Sequence, residues 1–113
     1  IANYIKDQHV KLNLSSDQLG PIGCVIGATN ESISHWRKIL PNSLFLMPGI
    51  GAQGGSWDAV KSTLTHNNDG VMVPISRGIT KVADNSVSIH DYLNKVQDNT
   101  KHFLSIFNKT IKE

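Results

Sequence analysis

Three short apolar runs constrain this chain more than any other feature: "CVIGA" at Cys24 to Ala28, "LFLM" at Leu44 to Met47 and "VMVPI" at Val71 to Ile75. Each is too short for a buried helix and, in two cases, rich in β-branched residues, so each reads as a strand. Between and after them, apolar residues recur at helical spacing: Ile33, Trp36, Ile39 and Leu40, then Trp57, Val60 and Leu64, then a long series from Ile89 to Ile111. Strand and helix thus alternate, which predicts right-handed βαβ units, a parallel sheet and the α/β class. The all-apolar "LFLM" reads as a strand buried on both faces, and Pro74, which cannot donate a ladder hydrogen bond, must end or bulge the last strand.

The flanking signals fit the same order. Ile1, Tyr4, Ile5 and Leu12 suggest a helix within the first 14 residues. Thr29 or Asn30 can cap the next helix, Pro41 ends it, and Ser56 can cap the one after. Ser88 with Asp91 has the spacing of a capping box for the last and longest helix, whose stripe contains Tyr92, Leu93, Val96, Thr100, Phe103, Leu104 and Phe107. Three parallel strands make a poor domain alone, because strands buried on both faces need neighbours. The chain therefore reads as part of a larger α/β fold.

Composition narrows the partners. At 113 residues and 39% apolar content the chain fits one domain. Charged residues make up 18% and the formal net charge is +2, too little for a basic stripe along a nucleic-acid backbone. Cys24 is the single cysteine; flanked by Val25 it reads as a buried, inert thiol, which points to a reducing, cytoplasmic setting. No run approaches the roughly 20 apolar residues of a membrane span. An initial Ile1 rather than methionine reads as a processed or partial chain. The histidines His9, His35, His66, His90 and His102 lie far apart, show no metal-ligand spacing, and read as surface residues.

"PGIGAQGG", Pro48 to Gly55, holds Gly49, Gly51 and Gly54 in the spacing G-x-G-x-x-G. In a dinucleotide fold an acidic residue should wait after the second strand, about 20 positions on. Asp69 lies before "VMVPI" instead, at the wrong end, although Arg77 after that strand could select a 2′-phosphate and so keeps a nicotinamide cofactor in play. A second reading takes this loop together with a smaller one read at Ser76 to Gly78: in a (β/α)8 barrel, the loops after the last strands often hold a phosphate. Gln53 offers an amide donor, Arg77 a guanidinium fork, and Gly54 and Gly78 unobstructed N–H groups. Tight turns with a surface arginine would account for the same residues without a ligand.

"VIGAT" (Val25 to Thr29), "FLMPGIGAQGG" (Phe45 to Gly55) and "SRGI" (Ser76 to Ile79), in that order, resemble the C-terminal part of orotidine 5′-phosphate decarboxylase, in the subgroup whose phosphate loop reads P-G-I/V-G-A-Q-G-G. The resemblance covers nearly the whole chain. It implies that residues 1–113 are a partial TIM barrel, the C-terminal portion of a (β/α)8 fold with about three βα units. It further implies that Gln53 and Arg77 hold the substrate 5′-phosphate with backbone help from Gly54 and Gly78, and that Pro48 and Ile50 help form an apolar wall near the pyrimidine. The family needs no cofactor, acts on orotidine 5′-monophosphate to give UMP, and forms homodimers in which the partner subunit completes the site.

One part of the pattern is missing. The chemistry of the family resembles electrostatic stabilisation of a carbanion by an ammonium group within a lysine and aspartate array, with the signature D-x-K-x-x-D. Asp58 precedes Lys61 by three positions, and Lys95 with Asp98 has Leu93 where the first aspartate should stand. The expectation is a chain that supplies a phosphate site, contains no catalytic residues and is inactive alone. The alternative is a non-catalytic phosphate- or nucleotide-binding α/β module.

Overall fold

The sheet is parallel, with strands β1 (Cys24–Val25), β2 (Phe45–Leu46) and β3 (Val71–Met72) in the order β1-β2-β3. Its register aligns Cys24 with Phe45 and Phe45 with Val71. The computed structural model describes residues 1–113 except 30, 31, 52, 53, 83–86 and 113. The ladder continues past the two-residue strands: the N–H groups of Cys24, Ile26 and Ala28 donate to the carbonyls of Leu44, Leu46 and Pro48 at 2.9, 2.9 and 3.1 Å. Likewise Phe45 and Met47 donate to Gly70 and Met72, both at 2.9 Å. The first two runs thus pair along their length, whereas "VMVPI" pairs only at Val71 and Met72, ahead of Pro74.

Two compact units make up the chain, Ile1–Pro74 and Ile75–Glu113. The first holds α1 (Ala2–Lys11), the sheet, α2 (Ile33–Ile39) and α3 (Trp57–Thr63), so α2 links β1 to β2 and α3 links β2 to β3. Side chains alternate across the sheet as the period of two requires. Ile26, Ala28, Phe45 and Met47 are buried together with Ile33, Leu40 and Val60 from the helical side. Phe45, Met47 and Val60 are wholly inaccessible, each stabilising the fold by about 1.5–3 kcal/mol. The opposite face is open: Val25 is 67% and Met72 55% exposed, and Leu44 and Leu46 are half-buried. Within this unit "LFLM" is therefore sealed on one face only, that of Phe45 and Met47.

Local signals differ in several places from the pattern read in the sequence. In α1 the inner face is Ile5 and His9, one turn apart, while Ile1, Tyr4 and Leu12 are exposed. His9, at 5% exposure, is thus a core residue packed beside Gly20, and only the other histidines lie on the surface. Helix α2 begins after Ser32, not at Thr29; Asn30, the other candidate cap, falls outside the described residues. Ser56 does cap α3, its hydroxyl accepting from the Ala59 N–H at 3.2 Å. Cys24 is half-buried, and burial pushes its thiol up against a smaller opposing pull from Arg37.

The second unit consists of the short helical turn α4 (Arg77–Thr80) and the long helix α5 (Ile89–Lys112). The capping half of the expected box forms: the Asp91 N–H donates to the Ser88 hydroxyl at 3.1 Å, and that hydroxyl, rather than the Ser88 backbone N–H, donates to the Asp91 carboxylate at 2.6 Å. Tyr92 and Asn99 donate to the carbonyls of Thr80 and Ile79, tying α5 to α4. The expected stripe divides: Tyr92, Val96, Phe103 and Phe107 are half-buried, whereas Ile89, Leu93 and Leu104 form an exposed apolar flank.

Candidate functional site

The glycine-rich segment leaves the C-terminal end of β2 and returns into α3. Gly49, Gly51 and Gly54 have φ of 100, 75 and 80°, a region that other residues enter at a cost. The loop closes on itself: the Gly55 N–H donates to the Gly49 carbonyl at 3.1 Å and the Gly51 N–H to the Gly55 carbonyl at 3.3 Å. Ile50 bridges to Gly55 and is buried at 4% exposure, so it anchors the loop to the core. Pro48 is half-buried, and its carbonyl accepts from Ala28. The "VIGA" and "PGIG" segments are therefore joined at the same end of the sheet.

Gly55 and Gly54 serve different ends. A Cβ on Gly55 would lie 2.5 Å from the Ala28 Cβ and 2.8 Å from the Gly49 carbonyl oxygen, so the loop packs there at glycine-only distance. At Gly54, by contrast, a Cβ would meet nothing within 4 Å. Gly54 is exposed, and its backbone stands open to solvent. Gln53 lies outside the described residues. The sequence pattern singled out the first three glycines of the spacing but not Gly55, whose reason is a contact with Ala28 far away in the chain.

In the second unit, Ser76 to Gly78 is less a loop than the start of α4: Ile79, Thr80 and Lys81 donate back to Ser76, Ser76 and Arg77 at 2.9, 3.0 and 3.0 Å. Arg77 is exposed. Gly78 lies against Phe103 of α5, where a Cβ would come within 2.8 Å of the ring. Packing thus gives one reason for glycine there, independent of any ligand. Among the described residues no group of histidine, cysteine and acidic side chains could hold a metal ion, and no helix is long and apolar enough to cross a membrane.

These features define a parallel α/β protein with a self-closed glycine loop at the C-terminal end of its sheet, the end where ligands of this class bind. The chain is similar to orotidine 5′-phosphate decarboxylases: it is 46% identical over 70 residues to that of Rhodopirellula baltica and 40% identical over 93 residues to that of Caldicellulosiruptor bescii. Those matches take in 61% and 81% of this chain. The chain spans 23% and 28% of the two relatives, about a quarter of their length. A solved structure from Toxoplasma gondii bearing the name orotidine-monophosphate-decarboxylase shares the fold, with a TM-score of 0.62 over 99% of this chain and 43% of that one at 20% identity. One from Plasmodium yoelii with the same name gives 0.52 over 88% and 30% at 27% identity. No family model matches the chain. The curated relatives support the orotidine 5′-phosphate decarboxylase family, and the structural neighbours the fold.

Proposed function

We propose that this chain is the C-terminal portion of a (β/α)8 decarboxylase of orotidine 5′-monophosphate and supplies the site for the substrate phosphate. The observation that carries this reading is the loop from Pro48 to Gly55, with its positive-φ glycines, at the C-terminal end of β2 in a chain similar to those enzymes over most of its length. In this reading Gly54 and Gly78 offer N–H groups, Gln53 an amide and Arg77 a charged fork to the phosphate, while Pro48 and Ile50 border the base. The phosphate is remote from the bond that breaks. Its binding energy is then expressed as rate in the completed enzyme, where it favours the closed site. The ammonium and carboxylate groups of the D-x-K-x-x-D array come from outside these residues, so the chain alone is silent. The completed protein is a homodimer.

Titration of the chain with UMP, followed by amide chemical shifts, tests this. Shifts confined to the Pro48–Gly55 loop and to Arg77 and Gly78, with no turnover of orotidine 5′-monophosphate, support the reading. Arg77→Ala should weaken UMP binding by about 1.5–3 kcal/mol, the worth of a charge-assisted hydrogen bond. Equal shifts with sugar phosphates or nicotinamide cofactors would instead favour a general phosphate-binding module, and turnover by the chain alone would refute its silence.

A further inference from the structure

Ala28 lies outside the glycine-rich loop and meets it at both ends. Its N–H donates to the Pro48 carbonyl at 3.1 Å, where the chain leaves β2. Its methyl lies 2.5 Å from the position that a Cβ on Gly55 would take, where the loop returns. Ala28 is 5% exposed, so close packing leaves that methyl little room to retreat. Gly55 carries both bonds that shut the loop, donating to the Gly49 carbonyl at 3.1 Å and accepting from the Gly51 N–H at 3.3 Å. What fixes Gly55 therefore fixes the shape of the loop. Gly54, one residue away, faces open space, since a Cβ there would meet nothing within 4 Å. The same is true of Gly27, one position before Ala28. Side-chain size is thus constrained at position 28 and free at position 27, as alternation at a strand end requires.

We infer that Ala28 is a positioning residue for the glycine loop: its methyl stops Gly55 at one distance from the end of β1 and so sets where the neighbouring Gly54 N–H is presented to an anion. A hydrogen in place of the methyl lets Gly55 settle inward, and a larger side chain pushes it out. Either displacement matters, because a binding group has to be held within about 0.5 Å of its productive place. Ala28 acts through the loop and touches no ligand itself. The inference rests on the proposed function for the anion, a substrate phosphate; the contact between Ala28 and Gly55 does not depend on that reading.

Amide exchange of the full chain without ligand is the first arm of the test. Ala28→Gly should speed exchange at Gly51 and Gly55, the two donors that close the loop, at least about tenfold. The amides of Ile26 and Met47, which donate to the Leu46 and Met72 carbonyls in the sheet, should keep their rates. A merely structural role for Ala28 would speed all four together; that result, or no change at any of them, overturns the inference. UMP is the probe of the second arm. Ala28→Gly and Ala28→Val should each weaken its binding at least about tenfold, while Gly27→Ala, which adds a methyl in open space, should leave it within about twofold. Unchanged UMP affinity in the Ala28 variants also overturns the inference, and where Ala28→Val fails to fold, Ala28→Gly carries both arms. Selective acceleration in a chain that binds no UMP leaves the positioning of the loop standing and defeats the functional reading. UMP binding by the unaltered chain, without selective acceleration in Ala28→Gly, does the reverse.

Discussion

The Arg37 guanidinium lies over the Phe45 ring, 3.9 Å from its centroid. From there it donates to the carbonyls of Thr63 at 2.6 Å, Ser43 at 2.7 Å, Gly70 at 2.8 Å and Leu40 at 3.1 Å. One side chain thus fastens the end of α3 and the approaches to β2 and β3, sharing the Gly70 and Leu40 carbonyls with the backbone N–H groups of Phe45 and Ser43. Burial holds the Arg37 pKa below its ordinary value, against smaller opposing effects of Cys24 and Asp69, but the group stays charged.

Arg37→Ala should therefore lower stability by about 3 kcal/mol, from several lost charge-assisted bonds that do not add fully. Arg37→Lys should recover little, because an ammonium cannot fork to carbonyls on separate loops. Urea unfolding of the two variants checks this; a lysine variant equal to the parent would show that charge over Phe45 is what counts.

The two glycines at the end of the glycine-rich loop should respond differently to alanine. Gly55→Ala must displace Ala28 or the Gly49 carbonyl, and should destabilise by about 2–3 kcal/mol. Gly54→Ala meets no neighbour but carries a φ of +80°, and should cost about 1 kcal/mol. Thermal unfolding gives the order, and a reversed order would contradict the packing of Gly55 on Ala28.

Gly78→Ala should strain the seam between α4 and α5, where the Phe103 ring stands in the way. A smaller residue, Phe103→Leu, should relieve part of that strain. A double-mutant cycle is expected to give a coupling of about 1 kcal/mol in favour of the pair. Additive losses would mean that the ring swings aside freely.

The Cys24 thiol, raised by burial, should react with a disulfide reagent several-fold more slowly at pH 8 than the same thiol in urea. Its folded value lies above its unfolded one, so its contribution to stability is complete below the unfolded value and is lost as pH rises through the folded one. A native rate profile matching the unfolded chain would contradict this.

The order of strands and helices was legible because run length, β-branching and helical spacing act locally. Ser56 and the Ser88–Asp91 pair were legible for the same reason, since a cap sits next to what it caps. His9 was not, because a polar residue on an inner helix face leaves no apolar signature. Nor was Arg37: the carbonyls it gathers are up to 33 positions away in sequence, and nothing local distinguishes it from a solvated arginine. The glycines of the loop announced a turn, but only the approach of Ala28 explains Gly55. Half-exposure of Leu44 and Leu46 reflects which elements this chain brings to the sheet, a property no run of residues contains.

Polar fastening in the first unit gathers where the strands begin. Besides Arg37, Asn42 donates to the carbonyls of Ser15 and Gln18, and Asn67 to that of Asp17, in segments that enter the strands. The glycine loop leaves from where a strand finishes. On the exit rim, exposed Gly54 can accordingly vary at smaller cost than Gly55 and Ile50, which tie that rim to the core, while the entry rim keeps the sheet assembled. Tolerance of inherited change is thereby set position by position rather than rim by rim.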